Sequence, residues 1–318
     1  MAKGNIDVVV RPLEQRDLTA ADRILRLAFG TFIGLPDPIA FLGDGDYVRT
    51  RWIVDPTAAF VAETRGEVAG SNFATKWGSV GFFGPLTVHP SFWDSGIGQH
   101  LMEPVMECFL RWNVTHAGLY TFSHSTKHVG LYQKFGFSPR FLTAIMSKAV
   151  EPRSAAPSSS RLTTLSRADQ KAAIDSCSEV TDAIYDGLDV TREIRAVLEQ
   201  KLGEVILLRD GSKLTGFAVC HFGPGTEAGS GKCYIKFAAA KPGANAEATF
   251  GSLLNSCEAM ATAEGLTRMI AGVNTSRSEA YRQMLAQGFR TDIQGVAMHK
   301  PNESAYHHPG VYVIDDWR

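Results

Sequence analysis

The chain has 318 residues, of which 44% are apolar, and its 32 basic and 33 acidic side chains leave a net charge of −1. The length exceeds what one hydrophobic core usually supports, so two domains are expected, and the composition excludes a disordered chain. The charge balance provides no electrostatic footprint for nucleic acid or an anionic membrane, and no apolar run reaches the roughly 18 to 20 residues that span a bilayer.

The opening stretch MAKGNIDVVVRP lacks an apolar segment of secretory-signal length. Five cysteines, Cys108, Cys177, Cys220, Cys233 and Cys257, are odd in number and share no C-x-x-C spacing. They are expected to be small buried hydrophobes in a reducing cytoplasm, with no metal site and no disulfide framework.

Taken in chain order, the elements repeat. Leu13-x-x-x-Asp17 returns as Leu165-x-x-x-Asp169, and Gly136-Phe137 returns as Gly288-Phe289; both offsets are 152 (169 − 17 and 288 − 136). In the first copy, alternation and turn residues predict strands over 59–63 and 68–73 joined at Thr64-Arg65-Gly66-Glu67. The second copy has matching strands over 204–208 and 214–219, joined at Arg209-Asp210-Gly211-Ser212. The first copy continues with a strand over 80–88, a helix over 98–115 that Pro104 bends, and a strand over 119–122. A helix over 127–135 and a closing strand over 141–147 complete it. Residues 151–160 (EPRSAAPSSS) have no apolar period and read as a linker. The expected division is 1–150, a linker over 151–160, a second copy over 161–300, and a tail over 301–318 in which 311–314 add an edge strand.

The segment after the 80–88 strand carries the chemistry. It runs His89-Pro90-Ser91-Phe92-Trp93-Asp94-Ser95-Gly96-Ile97-Gly98-Gln99, with two glycines immediately before a helix. Glycines there allow a tight turn whose N–H groups converge with the positive end of the helix dipole, which suits an anion. No Gly-Lys-Ser/Thr follows, and Leu101 stands where a dinucleotide fingerprint has its third glycine. Farther on, Leu131-Tyr132-Gln133-Lys134-Phe135-Gly136-Phe137 reads as a short helix capped by Gly136. It carries a tyrosine able to donate a proton.

These two segments resemble the GNAT superfamily of acyl-CoA-dependent N-acetyltransferases. Ser95-Gly96-Ile97-Gly98 fits the second half of that family's Gln/Arg-x-x-Gly-x-Gly/Ala loop, and residues 131–137 match its Leu-Tyr-x-Lys-x-Gly-Phe signature completely. The resemblance implies an α/β fold of two GNAT-like mixed-sheet domains in tandem. It also implies acetyl-CoA as acyl donor, held by Leu86, Thr87, Val88, Trp93, Asp94, Ser95, Gly96, Ile97, Gly98, Gln99 and Ser125. Within that set, Leu86 and Val88 pair their backbones with the pantetheine arm, and Tyr132 protonates the departing thiolate. Trp93 occupies the family's Gln/Arg position and is expected to reshape cofactor binding.

The second copy keeps the fold and loses the site: its loop over 240–251 has no G-x-G, Glu247 sits near the phosphate position, and Met284 replaces Tyr132 at the 152-residue offset. For the base that accepts the amine proton, His89 and His124 are the candidates, with water as the alternative. The leading expectation is therefore N-acyl transfer to an amine of a small molecule by a monomer or homodimer, without metal, nucleic acid or membrane. A non-catalytic acyl-CoA-binding or interaction protein of the same fold is the alternative. The loop over 30–45 (GTFIGLPDPIAFLGDG) mixes apolar and acidic residues, which suits a small amine better than a basic protein tail.

Overall fold

The computed structural model describes residues 7–156 and 158–318; residues 1–6 and 157, which fall on the opening stretch and the linker read from the sequence, lie outside the described residues. The first copy runs β1 (Val9–Pro12), α1 (Leu18–Phe32), α2 (Val48–Val54), β2 (Ala59–Thr64), β3 (Glu67–Trp77), β4 (Val80–Phe83), β5 (Thr87–Val88), α3 (Ile97–Arg111), β6 (His116–Phe122), α4 (Thr126–Gln133) and β7 (Ser138–Ala149). The second runs β8 (Ser159–Arg161), α5 (Arg167–Asp182), α6 (Thr191–Gln200), β9 (Gly203–Asp210), β10 (Lys213–Gly223), β11 (Gly229–Ala240), α7 (Ala246–Ala263), β12 (Arg268–Asn274), α8 (Ser278–Ala286), β13 (Arg290–Lys300) and β14 (Val313–Ile314).

Helices cover both faces of the sheet, which is why β2 reads as an unbroken apolar run. Ala59 and Val61 pack towards α1 with Leu18, Ala21 and Leu25, whereas Phe60 and Ala62 pack towards α3 with Ile97 and Leu101. Helix α3 continues through Pro104 and ends at Arg111, earlier than the expected 115; Asn113 turns the chain with φ 52. The α4 helix ends at Gln133, two residues before the expected 135, and a turn leads to Gly136. Gly136 takes φ 85, and the Phe137 N–H donates back to the Tyr132 carbonyl at 3.2 Å. All five cysteines are buried and free.

The expected strand over 80–88 is two strands. Pro85 has no N–H to continue a ladder, and the chain changes partners around it. Before it, β4 pairs with both β3 and β6, with Phe82 opposite Gly118; after it, β5 pairs with β3 alone. A cleft therefore opens between β5 and β6.

All strands join one 14-stranded sheet ordered β1-β2-β3-β4-β6-β13-β7-β12-β11-β10-β9-β8, with β5 beside β3 and β14 beside β11. The middle of that order is the feature that local sequence could not announce. The closing strand of each copy lies against the other copy: β13 pairs with β6, from Gly295 opposite Phe122 to Lys300 opposite Ala117, and β7 pairs with β12. Strands β7 and β13 also pair with each other. The tail strand expected at an edge is instead interior, because β14 takes the edge of β11 that β12 leaves open.

Buried histidines sit in and beside this seam. His116 and His299 share a ring-nitrogen hydrogen bond at 3.0 Å. Burial lowers His116 and His221 to about 4 and His299 to about 3. The unfolded chain takes up these protons near pH 6.5 and the folded chain only well below it, so the unfolded state binds more protons in between. Urea-unfolding free energies are thus expected to fall as pH drops from 6.5 to 5, above the usual carboxylate range, by up to about 1.4 kcal/mol per pH unit for each such histidine. A flat profile across that window would contradict the assignment.

Candidate active site

The cleft is a cavity of about 780 Å³. One wall is the glycine turn. Gly96 adopts φ 89 as the residue preceding α3, a conformation in which L side chains are strained. Ile97 and Gly98, in the first turn of α3 where the helix dipole is positive, line the cavity. The opposite wall is α4. Tyr132 lines the cavity, its ring edge-on to Phe83 with centroids 5.5 Å apart. Burial raises the Tyr132 phenol well above its usual value of 10, partly countered by a hydrogen bond with Thr121, so the group stays protonated and can donate.

Leu86, Thr87, Val88, Trp93, Asp94, Gly96, Ile97, Gly98, Gln99 and Ser125 line this same cavity with Tyr132. Three candidates fall outside its lining. The Ser95 hydroxyl donates to the Phe92 carbonyl at 2.5 Å. His89 caps the turn at Pro90–Phe92, its Nδ1 accepting the Ser91 N–H at 3.2 Å. His124 stacks on Phe32 at 5.7 Å. The Trp93 indole N–H donates to the Val88 carbonyl at 2.8 Å, which ties the ring to β5. A pantetheine amide pairing at Val88 would share that carbonyl with the indole.

Two residues that the motif reading did not single out belong here. Lys127 brings a cation to the glycine turn, 2.5 Å from Asp94 and over the Trp93 ring. His128 lines the cavity one helical turn before Tyr132, and the i, i+4 spacing places both on one face of α4. That spacing was visible in the sequence. Burial and the neighbouring Lys127 and His124 lower His128, which keeps its imidazole neutral and able to accept a proton. The second copy has no equivalent. Met284 is fully buried in the core, and the Gln283 side chain donates to the Glu247 carbonyl at the start of α7.

One cavity thus brings together a glycine turn at a helix N-terminus and a protonated phenol. Residues 26–137 match the acetyltransferase (GNAT) family. Solved structures agree over nearly the whole chain. A protein of Pyrococcus horikoshii assigned as an acetyltransferase has TM-score 0.70 at 15% identity, covering 100% of this chain and 96% of its own. A GCN5-related N-acetyltransferase from Sphaerobacter thermophilus has TM-score 0.63 at 16% identity, with 92% and 95% covered. A tandem GNAT protein from the clavulanic acid biosynthesis pathway has TM-score 0.56 at 12% identity, with 92% and 98% covered. The first copy carries a GNAT-family domain. The two copies form a tandem GNAT fold, and acyl transfer is the general chemistry of the family that the first copy matches. No curated protein matches the chain in sequence. Among the described residues, no helix is long and apolar enough to cross a membrane, and no cluster of His, Cys, Asp and Glu is placed to hold a metal.

Proposed function

We propose that this tandem GNAT protein transfers an acetyl group from acetyl-CoA to the amine of a small molecule. The first copy, over 1–150, carries the chemistry, and the copy over 161–300 is degenerate. The observation that carries the reading is the shared cavity, which the turn at Gly96 and Gly98, the start of α3 and Tyr132 all line. The turn and Lys127 hold the pyrophosphate of the donor, and the N–H groups of α3 need no reorganisation to do so. Tyr132 Oη gives its proton to the departing thiolate. His128 takes the proton that the amine must lose; it lines the cavity one helical turn from Tyr132, whereas His89 and His124 lie outside the lining.

Protein, acetyl-CoA and a panel of small amines, followed with a thiol-detecting reagent, test this directly. Release of CoA above background with at least one amine is expected. Tight CoA binding without release across a broad panel would favour a non-catalytic acyl-CoA-binding protein. The acid limb of kcat/KM is expected below pH 6.5, because burial lowers His128 from that value. His128→Gln should remove that limb and reduce kcat by on the order of 10²-fold; an unchanged limb would point to water or another group as the base.

A further inference from the structure

The cofactor cleft of the second copy is filled by the chain itself. Strand β11 leaves β12 after Ile235, opposite Ala271, just as the first copy's chain leaves β6 after Phe82 of β4, opposite Gly118. Into that gap β14 inserts, with Ile314 opposite Ala238 and Val313 opposite Ala239, and the Ala240 N–H donates to the Tyr312 carbonyl at 3.0 Å. At the 152-residue offset, Ala238 to Ala240 correspond to Leu86 to Val88, the stretch proposed above to pair with pantetheine. The tail thus makes with the second copy the kind of backbone bonds that the donor would make with the first.

The chain then crosses the seam into the first copy. Asp316 and Trp317 lie over Gly272 and Gly118, where an added Cβ would collide with the Asp316 side chain and the Trp317 ring. Trp317 holds φ 52, an uncommon value for a bulky residue, and such outliers persist only where the surroundings over-determine them. Here His299 and His307 pack against the indole at 5.1 and 4.5 Å, and its N–H donates to Tyr306 Oη at 3.1 Å. Arg318 is held by Asp316 at 2.9 Å, and Arg51 donates to its carbonyl while pairing with Glu227 of the second copy. Trp317 and Arg318 thereby line the cavity of the first copy, alongside Tyr120. Arg318 and Tyr120 thus bring a guanidinium and a phenol to the cavity lining, and Arg318 Nη2 and Tyr120 Oη have no hydrogen-bond partner among the described residues. Phe29, Phe32, Phe41 and Phe122 give the same cavity an aromatic lining.

We infer that the segment Tyr312 to Arg318 determines acceptor selectivity. Anchored as a strand in the converted cleft of the second copy, it builds the inner end of the first copy's cavity, which takes an apolar, aromatic-sized amine. The distal end of that amine offers a hydrogen-bond acceptor to Arg318 and Tyr120. This rests on the acyltransferase reading, and the test separates the two. In the full chain, thiol release from acetyl-CoA is followed with 2-phenylethylamine, its para-carboxamide and 2-(2-naphthyl)ethylamine. The wild type is expected to favour the carboxamide over its parent by at least tenfold in kcat/KM, within the range that a built hydrogen-bonding site supplies. Arg318→Met should erase that preference and leave CoA affinity, at one CoA per chain by calorimetry, unchanged. Trp317→Phe, a milder change than truncation to alanine, should raise the naphthyl amine relative to the phenyl amine by at least fivefold, with one CoA still bound per chain and a lower melting temperature from the lost core packing. Equal losses for all three amines in Arg318→Met, an unchanged size ranking in Trp317→Phe, or wild-type turnover confined to other amines would each overturn the inference alone. CoA binding without any thiol release would remove the acyltransferase reading and this inference with it.

Discussion

A first half cut free after residue 157 is expected to show no cooperative thermal transition and to aggregate, whereas the full chain unfolds as one unit. In the full chain β13 lies between β6 and β7, and the other neighbour of β7 is β12. Removing the second copy takes both strands away. Strands β6 and β7 are then separated by an empty strand position, with their ladder groups exposed to pairing with other chains. Trp317, which covers Gly118 of β6, is lost as well, and with it part of the buried cluster containing Trp77, Val80 and Phe82. Calorimetry on the isolated half checks this; a sharp transition near that of the full chain would mean that β7 can close its own sheet. Co-expression of residues 158–318 is expected to restore solubility, because it restores β13 to its place.

Tyr132→Phe is expected to lower kcat by on the order of 10²- to 10⁴-fold, the range of a lost general acid, while CoA affinity stays within about twofold. The phenylalanine ring keeps the packing against Phe83, so the structural cost is confined to the hydrogen bond with Thr121, about 1 kcal/mol. Steady-state kinetics beside a CoA titration separate the effects: parallel losses in kcat and affinity would make Tyr132 a packing residue. The raised Tyr132 phenol carries a second consequence. The acid stays protonated beyond its ordinary value of 10, so the wild type should show no alkaline fall in kcat from this group below that pH.

The parts of this protein legible in its sequence are those built from neighbours along the chain. The 152-residue duplication, the hairpin pairs, the glycine turn before α3 and the tyrosine helix ending at Gly136 all depend on turn chemistry, capping and periodicity over a few residues. His128 was equally legible through its four-residue spacing to Tyr132, although its burial against Phe32 depends on α1. Other features were decided by contacts between distant segments. A backbone ladder accepts almost any apolar strand, so nothing in β7 or β13 states which copy each will pair with. The same indifference let β14 occupy the cleft of the second copy, where the sequence suggested an edge. Gly118 and Gly272 gave no sign that Trp317 and Asp316 would need the space above them. Sequence by itself determined two related modules and one glycine turn ahead of a helix. Tertiary structure decided that the modules share one sheet and that the tail of one furnishes the cavity of the other, because strand pairing and close packing act between residues whose separation along the chain leaves no local trace.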